Sequence, residues 1–213
     1  MKPAASPEHT LDFELAARII VEAGRRIHAR GWSPATSSNY SLRLGEDRCA
    51  ITVSGRDKGA LDVDGIMCVD MQGRAPGSQS RKKPSAETLL HTTLYRRDAT
   101  IGAVLHTHSV FATLVSMHAG DSVEFAGLEI LKAFKDVTGH EGTLNIPVFD
   151  NSQDITALAA EVDALMDSNG TGHAYLIRGH GLYTWGADMA EAMRQLEALE
   201  FLLEYTWRRQ GVH

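Results

Sequence analysis

The sequence has little of what would mark a secreted, membrane-bound or polymer-binding protein. It carries only two cysteines in 213 residues, Cys49 and Cys68, and they form no CxxC pair. A disulfide framework and a thiolate metal site are therefore set aside, and reduced, partly buried thiols are expected. The net charge is −6, so no global basic field draws in nucleic acid or an anionic membrane. An anionic small molecule would have to be held by local donors. No apolar run is long enough to span a bilayer, and the first residues lack the apolar core of a signal peptide. Together these absences predict a cytoplasmic protein with no nucleic-acid or membrane partner. Neither a GxGxxG turn nor a Walker A loop occurs, which removes the usual nucleotide-binding readings. No repeat, low-complexity tract or linker interrupts the chain, and 43% hydrophobic with 23% charged residues is an ordinary globular balance.

What is present is a succession of short periodic segments. Phe13, Ala16, Ile20, Ala23 and Ile27 recur at helical spacing, with Gly31 as a stop. Strand-like runs follow at Asn39–Leu44, Cys49–Val53 and Ile66–Asp70, the first two joined by a Leu-Gly-Glu-Asp turn. After a Gly-rich basic loop, Gly73 to Lys83, Ser85 reads as the N-cap of a helix carrying Leu89, Leu90, Thr93 and Leu94. The apolar run Ile101–Leu105 leads into His106-Thr107-His108, and Ser109 caps a short helix. Gly127–Phe134 reads as another short helix, Leu144–Phe149 as a strand, and the segment from about Asp154 as a helix. His173–Arg178 and Leu182–Trp185 are strands on either side of Gly179-His180-Gly181. Asp188 and Glu191 open a last helix in capping-box style. Consecutive strands without helical crossovers predict an α/β fold with a mostly antiparallel or mixed central sheet covered by helices.

The histidines carry the chemistry. Side chains two apart on a strand share a face, so His106 and His108 project together from a strand end. Imidazole suits zinc and similar divalent ions, although an isolated H-x-H pair also fits paired surface or core histidines. His180 lies between two glycines, which let the backbone bend and leave room beside it, or simply make a hairpin turn. Joined, the two motifs make a facial triad with open positions, the pattern of catalytic zinc. His9, His28, His91, His118, His140, His173 and His213 have no comparable context and are expected at the surface or in structural roles.

Five motifs in order, Thr36-Ser37-Ser38-Asn39-Tyr40-Ser41, Val53-Ser54-Gly55, Pro84-Ser85-Ala86-Glu87, His106-Thr107-His108 and Gly179-His180-Gly181, resemble the class II aldolase/adducin family over nearly the whole chain. The stretches 54–58, 128–132 and 182–186 are most similar to its hydro-lyase branch, which dehydrates a small ketose 1-phosphate in methionine salvage. The resemblance implies one class II aldolase-like domain over residues 1–213 and one zinc, or another divalent ion, per subunit on His106, His108 and His180. It implies stabilisation of an enediolate of the sugar phosphate, with Glu129 as the acid/base and phosphate contacts from Asn39, Ser54, Gly55 and Ser85. A homotetramer with sites near subunit boundaries is implied as well. Glu87 matches a carboxylate that serves the metal site of the aldolases, and it also fits a plain helix-end acid. Ser38 departs from the glycine usual in the sugar-phosphate aldolases.

The residues themselves fit that chemistry. Ser54-Gly55 offers a hydroxyl and an unhindered backbone N–H, Ser85 sits at a helix start, and Lys58 can supply a point charge to a phosphate. Glu129 also fits an exposed helix acid paired with Lys132. A class II aldolase or 4-epimerase would use the same metal and break or remake C3–C4 instead. A noncatalytic adducin-like interaction domain would be expected to have lost the ligands, which are all present.

Overall fold

The apolar stripes and strand runs assemble in the computed structural model as α1 (Phe13–Ala29), β1 (Asn39–Arg43), β2 (Arg48–Thr52), β3 (Ile66–Asp70), α2 (Thr88–Arg97), β4 (Ala103–Thr107), α3 (Val110–His118), β5 (Ser122–Ala126), β6 (Thr143–Phe149), α4 (Ile155–Asn169), β7 (Ala174–Ile177), β8 (Gly181–Gly186) and α5 (Met189–Gln210). The structure describes residues 11–77, 81–137 and 141–210. His9, His140, His213 and part of the Gly73–Lys83 loop lie outside them.

The strands form one eight-stranded sheet in the order β3-β2-β1-β4-β8-β7-β6-β5. All pairs are antiparallel except β6 with β7. The mixed sheet expected from the chain of uncrossed strands is what forms. Side-chain alternation sends the strands' two faces into two cores. Leu42, Leu105, Leu176 and Leu182 pack with α1, α3 and α5. Ile51, Val104, Tyr175 and Tyr183 pack with α2 and α4. The result is a sheet sandwiched between two helical layers.

Local chemistry explains most boundaries. Asp12, Ser109 and Asp154 cap α1, α3 and α4, each accepting a bond from a first-turn N–H. Before α5, Asp188 accepts from Glu191 N while Glu191 reaches back to Ala187 N. Arg43 reaches across from β1 to the carbonyls of Tyr95 and Asp98, satisfying orphan acceptors at the end of α2, and to that of Ile101 in the loop beyond.

Three expectations shift. Helix α2 begins at Thr88, with Glu87 at the N-cap position, so Ser85 lies in the turn before it. There Ser85 bonds Thr88 Oγ1 through its carbonyl and Glu87 N through its hydroxyl. The Gly127–Phe134 segment is a 3-10 helix at Glu129–Ala133. β5 was not anticipated, because its alternation Ser-Val-Glu-Phe-Ala is short and starts four residues after the last residue of α3.

Candidate metal centre

β4 carries His106 to the middle of the sheet, where Asn39 of β1 and Tyr183 of β8 stand opposite it. His108 follows just past the strand end, its N–H tied to Trp32 O at 2.9 Å. His180 sits in the tight turn between β7 and β8. Gly179 has φ +63°, and a Cβ there would meet Met117 Sδ at 2.9 Å. At Gly181 a Cβ would lie 2.0 Å from Thr107 O. Both glycines flanking His180 are therefore required, one for backbone conformation and one for the close approach of β8 to β4.

The three imidazoles converge, with ring centroids 4.6 to 5.0 Å apart. Glu87 joins them from the start of α2, its Oε2 3.3 Å from His106 Nε2 and its Oε1 2.9 Å from His180 Nε2. One ligand atom from each of the four residues lies within 4.8 Å of the others.

Electrostatics suit this cluster to a cation. Burial pulls the pKa of His106 well below its ordinary value, against the pull of Glu87. His106 Nδ1 bonds the Leu182 carbonyl at 3.0 Å and must donate to it, so Nε2 of the neutral ring is a bare lone pair. That buried atom has no hydrogen-bond partner, although a Glu87 oxygen is its near neighbour. Two acceptors thus face each other, an arrangement that a cation between them relieves. Burial alone would raise the Glu87 pKa, yet His106, His180 and Asn39 outweigh it and hold the carboxyl well below the usual range. Burial, with His180 and Lys58 nearby, brings His108 down to about 4. Neutral imidazoles and an ionised carboxylate are the ligand forms a divalent metal takes.

The cluster opens onto a cavity of about 310 Å³. Asn39, Ser54, Gly55, Lys58, Ser85 and Glu87 line it together with His108 and His180, so every expected phosphate contact reaches the same space as three residues of the cluster. Gly55 has φ +74°, which turns its backbone as only glycine does freely. Lys58 is buried, its ammonium bonded to the carbonyls of Arg56 and Thr36, and burial lowers its pKa to about 8. Ser38 takes φ +72°, a left-handed conformation that glycine adopts more freely than serine.

Glu129 is not brought to this cluster within one copy of the chain. His180 follows the C-terminal end of β7, which lies beside the C-terminal end of β6 through the Phe149–Ile177 pair. β5 runs antiparallel to β6 and ends beside Thr143, so Glu129 leaves the sheet at the opposite end. There its carboxylate pairs with Lys132. The seven residues of β6 separate the two ends by about 20 Å.

Several residues of the site had no separate signal in the sequence. Tyr183 stacks on His106 at 4.0 Å between ring centroids, and Asn151 Oδ1 lies 3.3 Å from His180 Nδ1. His91, expected at the surface or in a structural role, is fully buried and neutral, its pKa lowered to about 3 by burial. Its spacing could have revealed it, since Glu87, His91 and Tyr95 fall four apart on one helix face.

Comparison with known proteins agrees with this architecture. Residues 18–207 match the family model described as class II aldolase and adducin N-terminal domain. A methylthioribulose-1-phosphate dehydratase from Alcanivorax borkumensis is 57% identical over 198 residues, 92% of each chain. One from Pseudomonas fluorescens is 51% identical, covering 95% of this chain and 97% of its own. Among solved structures, L-fuculose-1-phosphate aldolase from Thermus thermophilus superposes with a TM-score of 0.73 at 24% identity, over 95% of this chain and all of that one. The sugar-phosphate aldolase of Thermotoga maritima does so with a TM-score of 0.68 at 20% identity, over 94% and 97% of the two chains. The chain belongs to the class II aldolase and adducin family.

Proposed function

We propose that the protein is a metal-dependent hydro-lyase that converts 5-methylthioribulose 1-phosphate to 5-methylthio-2,3-diketopentyl 1-phosphate in methionine salvage. The observation that carries the proposal is the Glu87–His106–His108–His180 cluster beside a cavity lined by hydroxyls, a glycine and a lysine that suit a phosphate. The names of relatives at 51% and 57% identity support the choice of substrate.

A divalent ion on these ligands, zinc by the preference of imidazole donors, supplies Lewis-acid polarisation of the substrate carbonyl. The remaining work belongs to the chain. Ser54, the Gly55 N–H, Ser85 and the Lys58 ammonium hold the phosphate. Asn39 commits one N–H to Glu87, leaving the other for the cavity. A carboxylate takes the C3 proton, and its conjugate acid protonates the C4 hydroxyl, which departs as water. The enol then tautomerises to the diketone without net oxidation. We assign this proton transfer to Glu129 of a second copy in a homotetramer, because within one copy it stands at the other end of the sheet.

Elemental analysis of the purified protein should find one divalent ion per chain, lost in His106→Ala. A protein that binds no divalent ion at this cluster contradicts the proposal. Glu129→Gln should lower turnover by about 10²–10⁴-fold with the ion retained. Near-normal turnover in that variant would remove Glu129 from the reaction.

A further inference from the structure

A continuous chain of buried polar groups runs from the metal cluster into the core between the sheet and α2. Asn39 Nδ2 lies 2.7 Å from Glu87 Oε2, and Asn39 Oδ1 meets His91 Nε2. His91 Nδ1 is 2.8 Å from Ser41 Oγ, which is in turn 2.8 Å from the Tyr95 hydroxyl. Asn39, Ser41, His91 and Tyr95 are all buried, so no solvent competes for these bonds.

The direction of every link follows from its first member. An ionised carboxylate only accepts, so the group facing Glu87 is the Asn39 NH₂, and Asn39 Oδ1 is an acceptor. His91 Nε2 therefore carries the proton and donates to it. Nδ1 of that neutral ring must accept, which makes Ser41 the donor, and Ser41 Oγ accepts from Tyr95. No member has an alternative that keeps all partners satisfied, so the Asn39 amide cannot flip without stranding a buried donor, which costs about 1–3 kcal/mol.

We propose that His91 is a positioning residue of the metal centre, which locks the Asn39 amide and so aims the Glu87 carboxylate at the three histidines. Oriented partners behind a ligand typically matter 10–100-fold in metal affinity. The inference rests on the metal reading given above and adds to it a residue that touches neither metal nor substrate. Ser41 and Tyr95 fix the tautomer of His91 from behind. Glu87 at the N-cap of α2, His91 and Tyr95 repeat at four-residue spacing, and Asn39 and Ser41 at two-residue spacing on β1. The relay is thus one helix face laid against one strand face.

Cobalt(II) affinity, measured by chelator competition on the full chain, tests the inference. His91→Phe should weaken Co(II) binding by about 10–100-fold. His91→Gln, which keeps an N–H toward Asn39, should recover most of that loss. In a Glu87→Ala background the His91→Phe change should cost nothing further, because the two act as one unit. An equal cost in both backgrounds, or unchanged Co(II) binding in His91→Phe, overturns the inference while the metal reading stands. Absence of Co(II) binding by the unaltered chain overturns both. If His91→Phe does not fold, Ser41→Ala carries the test, with a smaller loss expected and no loss overturning it.

Discussion

At the scale of single residues, the site is built by denying side chains their ordinary solvation. His106 donates to Leu182 and is left with a bare, buried Nε2 beside a carboxylate oxygen. The pH dependence of the metal-free protein follows from the same burial. The pKa values of His91 and His108 are lowered to about 3 and about 4, against an ordinary histidine value of 6.5. The unfolded chain therefore binds more protons than the folded one below about pH 6.5, and stability falls as pH drops from there toward 3. Urea unfolding of metal-free protein should show a lower midpoint at pH 5 than at pH 7, and His91→Gln should flatten that slope.

Glu200 has the opposite sign. Burial raises its pKa to about 7, from an ordinary 4.5, against the hydroxyls of Ser109 and Thr107, the latter 3.3 Å from one carboxyl oxygen. Its contribution is intact below pH 4.5 and is lost as pH rises through 7. Glu200→Gln should therefore stabilise the protein at pH 8 by about 1–3 kcal/mol and do little at pH 5. Equal effects at both pH values in urea titrations would contradict this.

At the scale of elements, the turn carrying His180 depends on how closely β8 approaches β4. A Cβ at Gly181 would meet the Thr107 carbonyl at 2.0 Å, in the backbone between His106 and His108. Gly181→Ala should cost about 1–3 kcal/mol, read as a lower urea midpoint, and weaken metal binding by displacing His180. Helices with capped, periodic stripes were legible in the sequence, as were strands with apolar runs, because each is set by neighbours three to five residues away. H-x-H and G-H-G were legible for the same reason, since one strand end and one turn present them. The Asn39–His91 link was not, because it joins residues 52 apart through the packing of α2 on β1. β5 was missed because an edge strand of five residues has few partners to impose a pattern. Ser85 misled by composition, since a serine before an apolar run reads as a cap although the helix starts three residues later.

At the scale of the whole molecule, the sheet has a business end and a far end. The first gathers the C-terminal ends of β4 and β7, and the second carries Glu129 beyond β5. An acid/base at Glu129 then requires a second copy, and this has a direct consequence. Inactive Glu129→Gln subunits mixed with inactive His106→Ala subunits should regain activity, because some shared sites receive one intact residue from each parent. No recovery after subunit exchange would place the acid/base within one copy. Among the described residues no helix is long and apolar enough to cross a membrane.

Which bond breaks beside the Glu87–His106–His108–His180 cluster separates a hydro-lyase from an aldolase. Incubation of metal-replete protein with 5-methylthioribulose 1-phosphate, with products identified by NMR, tests it most directly. The 2,3-diketone phosphate should form, with the C3–C4 bond intact, and chelation should stop its formation. Aldol fragments, or unchanged substrate, would contradict dehydration at this site.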